Sequence, residues 1–160
     1  MHKLDLRLGE LIPTDSTYEI DPLEEFSSFE RGLFTYCRDY NCQIHLAVGS
    51  QDVTVELFRD LKPHLTYLPQ AISDSANSSR LIIELPELGT SVRLEWTDTS
   101  CICMLDSVST EVDRTQAVKA IASFLESLVS RATDARYIEQ VDADDFLGTI
   151  QAALARSLAT

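Results

Sequence analysis

The chain is expected to be an α+β domain, a mostly antiparallel sheet of about five strands with amphipathic helices covering one face and flanking its ends. Three observations predict this. Strand-forming runs between Ser79 and Asp106 are separated by turn residues, and an apolar stripe at helical spacing runs from Val118 to Val129. The 160 residues also hold no internal repeat and no linker long enough to divide them, so residues 1–160 read as a single domain. A domain of this size buries about 70% of the surface its unfolded chain exposes, enough to be stable without a metal or a disulfide.

From the N-terminus, His2 to Ile12 alternates Leu4, Leu6 and Leu8 with Lys3, Asp5 and Arg7, the pattern of a half-buried strand or of an arm on a sheet edge. Pro13 to Thr17 is loop. Asp21 as N-cap, Pro22 at the first helical position and Glu24 against the helix dipole open an amphipathic helix over 22–40. Phe26, Phe29, Leu33, Tyr36 or Cys37, and Tyr40 form its apolar stripe. Gln43 to Val48 is a strand, and a turn at Gly49 to Asp52 leads into a second strand from Val53 to Phe58. A competing reading makes Asp52 an N-cap, with Val53, Leu57 and Leu61 on one helical face. Asp60 opens a further helix carrying Leu61, Leu65, Leu68 and Ile72, which Pro69 interrupts, and Ser73 to Ser78 is polar loop.

The meander follows. Leu81, Ile83 and Leu85 form its first strand; Val92, Leu94 and Trp96 give the second a dry face, with Arg93, Glu95 and Thr97 on the wet one. The run Cys101 to Leu105 is apolar on both faces, as in a strand covered on both sides or lying at an interface. Asp113 to Gln116 resembles a capping box, and the helix it opens, to about Arg131, is the cover for the meander. Asp142 opens a last helix in which Leu147, Ile150, Leu154 and Leu158 share one face.

Charge excludes whole classes of function. With 13 Lys and Arg against 26 Asp and Glu the net charge is −13, which repels nucleic-acid phosphates and anionic lipid. The acidic excess is largest in the first sixty residues, where a basic protein partner would be steered. No window approaches the roughly 18 apolar residues of a membrane span, and the first residues hold no apolar run of export-signal length, so a cytoplasmic chain is expected. In that setting Cys37, Cys42, Cys101 and Cys103 are thiols.

Candidate chemistry is sparse. Cys37-x4-Cys42 with His45 nearby and Cys101-x-Cys103 supply soft ligands, but neither spacing is that of a structural zinc site; neither metal nor cofactor is expected. Cys42 and His45 as nucleophile and base form the alternative, enzymatic reading. Asp142, Asp144 and Asp145 suggest a calcium loop, yet Gly148 is out of register and Ala153 stands where the closing Glu belongs. Glycine-rich phosphate loops, nucleophile elbows and HExxH helices are absent. A non-catalytic chain is therefore expected. The last helix is one more than covering the meander requires, so Leu147, Ile150, Leu154 and Leu158 are the candidate partner-binding residues. The expected partner is another protein, basic in character, or a second copy of the chain in a homodimer.

The helix 22–40, the strands of 80–106 and the helix 113–131, about half of the chain, together resemble the small acidic chaperones of type III secretion. That resemblance implies a chaperone- or adaptor-like protein-binding role. A rival within the binding class is an immunity or antitoxin protein, whose negative charge would complement a basic nuclease and speed association.

Overall fold

The computed structural model describes residues 4–9, 25–40, 43–48, 50–56, 65, 67–77, 79–85, 89–105 and 107–159, and among these described residues period-two alternation builds seven strands and three-to-four spacing builds the four helices named below. Their order is β1 (Leu4–Leu8), α1 (Ser28–Asp39), β2 (Gln43–Val48), β3 (Gln51–Glu56), α2 (Leu68–Asp74), β4 (Arg80–Leu85), β5 (Thr90–Trp96), β6 (Ser100–Leu105), β7 (Val108–Asp113), α3 (Arg114–Asp134) and α4 (Gln140–Leu158). The class is α+β, with every strand pair antiparallel. The strands divide, however, into a three-stranded sheet β1-β2-β3 and a four-stranded sheet β4-β5-β6-β7, in place of one sheet of about five. Each sheet has a dry face: Leu4, Ile44 and Leu46 on the first, and Val92, Leu94, Trp96, Cys101, Cys103, Leu105 and Val112 on the second. Both faces join one buried cluster with Leu33 of α1, Ile72 of α2, Leu125 of α3 and Ile150 of α4.

Three local readings change. Asp52 sits in β3, opposite Ala47, so the hairpin holds and the helical alternative does not. β7 extends the meander by a fourth strand, in which Thr110 and Val112 are buried while Ser109, Glu111 and Asp113 are exposed. Its period was masked because the same residues run into the helix-capping motif. Pro69 stands in the first turn of α2, where a residue needs no backbone N–H, while Leu65, ahead of the turn at Tyr67, is also helical. α2 also takes in Ser73 and Asp74, and Ser75 beyond it is buried, so 73–78 is not simply polar loop. The helix start proposed at Asp60 lies outside the described residues.

The first helix starts later than the proline signal suggests. Residues 25–27 lie ahead of it, and Asp21, Pro22 and residues 23–24 lie outside the described residues. Ser27 and Glu30 form the capping box: the Glu30 N–H donates to Ser27 Oγ at 3.1 Å and the Ser27 N–H donates to Glu30 Oε1 at 3.3 Å. Two orphan donors are satisfied reciprocally, which Asp21 and Pro22 cannot do for a helix that begins at Ser28. Within α1, Gly32 permits a close crossing. A Cβ there would overlap the carbonyl oxygen of Tyr137 and stand 3.2 Å from its carbonyl carbon.

α3 is capped as expected at Asp113, whose Oδ1 accepts from the Gln116 N–H at 2.9 Å. The Gln116 side chain, though, does not complete a box. Its Oε1 accepts from the Leu4 N–H at 3.2 Å and its Nε2 donates to the Leu4 carbonyl at 3.0 Å, so the amide pairs with the outer edge of β1. At its other end α3 closes in a Schellman motif, with the Arg136 N–H on Thr133 O and the Tyr137 N–H on Ala132 O, both at 2.9 Å. Arg136 takes the left-handed position with φ 67°, where a Cβ is strained. Arg136→Gly is accordingly expected to raise stability by about 1 kcal/mol. A lowered midpoint in urea unfolding would contradict this.

Candidate interaction surface

Antiparallel register brings two rows of side chains onto the wet face of the four-stranded sheet. Arg80, Glu95, Ile102 and Glu111 stand side by side across β4 to β7, and beside them run Ile82, Arg93, Met104 and Ser109. Ile82, Ile102 and Met104 are half-buried, while Arg80, Glu84 and Glu111 around them are exposed. Arg93 Nη1 lies 3.9 Å from Glu95 Oε1 on the same strand, both partly exposed, so this pair contributes little to stability. The result is an apolar centre in a ring of mixed charge. The two-sided apolarity of Cys101 to Leu105 thus has a cause: Cys101, Cys103 and Leu105 face the core, and Ile102 and Met104 face outward.

The candidate stripe on the last helix is used differently from the expectation. α4 begins at Gln140, two residues before Asp142, and buries Ala143, Ile150, Ala153 and Ser157. Ile150 is fully buried, Leu147 and Leu154 pack half-buried against the core, and Leu158 is 36% exposed. The helix docks on its own domain through its small residues. Ser157 Oγ lies 2.6 Å from Ser75 Oγ, and Arg114 Nη1 donates to the Ser75 carbonyl at 3.1 Å, joining α2, α3 and α4 in a buried polar contact. Alanine and serine make a weak sequence signal, so periodicity selected the leucines beside them.

The other candidates do not converge. Cys37 is buried on α1, His45 lies on the hairpin with Nδ1 3.2 Å from Thr54 Oγ1, and Cys42 falls outside the described residues. Cys101 and Cys103 share a face as expected, with Sγ atoms 3.8 Å apart and both buried. The hydrogen bond to Cys103, together with burial, pushes the Cys101 thiol well above the ordinary range. Among the described residues no three of His, Cys, Asp and Glu are grouped to hold a metal ion. Asp144 Oδ1 accepts from Gln140 Nε2 at 2.8 Å, an i to i+4 helix-surface contact.

One polar contact that the sequence did not suggest ties α1 to the turn after α3. Tyr137 Oη donates to Asp39 Oδ2 at 2.8 Å, and Arg38 Nη2 lies 3.0 Å from Asp39 Oδ1. Desolvation, followed by the hydrogen bond and the charge of Asp39, pushes the Tyr137 phenol up to about 12, so it stays protonated as a donor. The contact is structural.

No family model matches the chain, and neither does any curated protein or solved structure with which it was compared. No helix among the described residues is long and apolar enough to cross a membrane.

Proposed function

We propose that the chain is a non-catalytic protein-binding module whose partner is basic, and that it docks through the wet face of the four-stranded sheet. The observation that carries this reading is the half-buried centre Ile82, Ile102 and Met104, bordered by Glu84, Glu95 and Glu111 as well as Arg80 and Arg93, in a chain of net charge −13. α3 packs against β6 and β7 of this sheet, and its Val118, Ile121 and Leu125 belong to the core that the dry face joins. Size decides how much the face can do. Four strands at about 4.8 Å spacing and six residues at about 3.3 Å make a face of roughly 400 Å², half of the about 800 Å² per partner that a stable complex buries. A partner therefore also covers the charged rim, and the net negative charge of the chain steers its approach. A chaperone or adaptor role, as the secretion-chaperone profile suggests, and an immunity role are both forms of this reading.

Native mass spectrometry of the chain isolated from its host at low salt tests it. A stoichiometric heterocomplex is expected that is lost in Ile102→Asp with Met104→Asp, while the thermal midpoint of the isolated chain is unchanged. A complex that survives both changes refutes docking by this face. A steep fall of association rate with salt favours the immunity form; a weak salt dependence favours the chaperone form.

A further inference from the structure

Where the two sheets meet beneath α3, the core is incompletely filled. Leu6, Ile44 and Leu46 of one sheet, Ile83 and Val92 of the other, and Phe124 of α3 are among the residues around a cavity of about 40 Å³, whose described walls are entirely apolar. About 10–15 Å³ on this measure holds one water-sized group, so the space takes roughly three carbon groups; a dry apolar wall disfavours water as the occupant.

A second, shallower space of about 290 Å³ lies on the surface between β1 and α3, lined by Leu6, Arg7, Ser123, Phe124, Ser127 and Arg131. Leu6 and Phe124 line both spaces and stand between them, so a ligand reaches the cavity from the groove by displacing these two side chains. The sequence of α3 explains the groove. Gln116, Ala120, Ser123, Ser127 and Arg131 recur at spacings of three and four, so they form one stripe of the helix. At Gln116 that stripe is tied to Leu4 of β1, and further along the small side chains of Ser123 and Ser127 leave an opening.

The mouth is cationic, in a chain with only 13 Lys and Arg. Asp5 Oδ2 lies 2.9 Å from Arg7 Nε, and no further partner of the Arg7 terminal nitrogens is present among the described residues. Arg131 stands in the last turn of α3, whose carbonyl end carries about half a negative charge. The second guanidinium outweighs that half charge. Two arginines and two serine hydroxyls offer donors suited to a carboxylate, which accepts bidentate contacts from a guanidinium.

We propose that this composite site binds a medium-chain aliphatic carboxylate, of about six to ten carbons. The carboxylate lies between Arg7 and Arg131, the first methylenes part Leu6 from Phe124, and the end of the tail fills the cavity between the sheets. Neither space is sufficient alone. The cavity is too small for a whole ligand, and the groove without it gives an anion only exposed arginines, which solvent screens.

Isothermal titration of the full chain with octanoate, octanol and acetate tests the assignment, with circular dichroism on each variant to verify the fold. Octanoate is expected to bind once per chain, at least about tenfold more tightly than octanol, while acetate gives no saturable heat. Lengthening from hexanoate to octanoate strengthens binding roughly fourfold per methylene until the cavity is full. Arg7→Gln with Arg131→Gln weakens octanoate at least about tenfold. Ser127→Trp, which fills the groove from an exposed helix position, abolishes binding. The assignment is overturned if octanoate gives no saturable binding, if octanol binds as tightly, or if either variant, still folded, keeps the affinity of the unaltered chain.

Discussion

Replacing Gly32 by alanine is expected to destabilise the chain by about 3 kcal/mol, the opposite sign from helix propensity, which by itself favours alanine by up to about 1 kcal/mol. The added Cβ overlaps the Tyr137 carbonyl oxygen, so either α1 or the turn after α3 must move. Neither moves cheaply. The Tyr137 N–H is held on Ala132 O in the Schellman motif, its hydroxyl is held on Asp39, and Ile138 beside it is buried. A loss of that size lowers the thermal midpoint of a chain this long by roughly 6–12 °C. Gly148 supplies the control, because it lies on α4 with nothing within 4 Å of an added Cβ. Gly148→Ala should raise the midpoint by about 2–4 °C through helix propensity. If both substitutions stabilise, α1 does not cross the turn as closely as described.

Ile150→Asp is expected to leave no folded chain at 25 °C. Ile150 is fully buried among the residues of the common core, and a carboxylate there has neither water nor a counter-charge. Removing the side chain alone, as in Ile150→Ala, costs about 2–5 kcal/mol, and an unpaired buried charge adds several more. Together these approach the whole stability of a typical domain, about 5–15 kcal/mol. Trp96 reports the outcome: it is 3% exposed, so loss of the core shifts its fluorescence to the red. A folded Ile150→Asp with unshifted emission would mean that α4 detaches freely, and would restore its leucine stripe as a partner surface.

The elements read most faithfully from sequence are those in which a single period runs without competition. β5 alternates Val92, Leu94 and Trp96 with Arg93 and Glu95, and α3 repeats an unbroken apolar stripe, so pattern and packing agree in both. The failures share a different cause. Asp21-Pro22 is a strong local start signal, but the helix begins where Ser27 and Glu30 cap each other and where Leu33, Phe34, Tyr36 and Cys37 reach the core. Division of the strands into two sheets depends on which strands share a core, and period-two alternation is silent on that. The stripe on α4 was legible as a stripe, but periodicity shows that a face is apolar without showing what covers it. The outer sheet face and the arginine groove were still less legible. The first needs the registers that align Ile82, Arg93 and Met104, and the second joins Arg7 to Arg131 across most of the chain.

The pairing of the Gln116 amide with Leu4 also sets a timetable for biosynthesis. Leu4 is synthesised before both of its partners: Val48 on the neighbouring strand comes some forty residues later, and the Gln116 amide that closes its outer edge follows 112 residues behind it. At about 5–20 residues per second, the edge of β1 waits roughly 6–22 s for that closure. During this interval Leu4 and Leu6 are without their final cover, and the strand is open to any other chain that offers a complementary edge. Mispairing at β1 is thus open until Gln116 has been made.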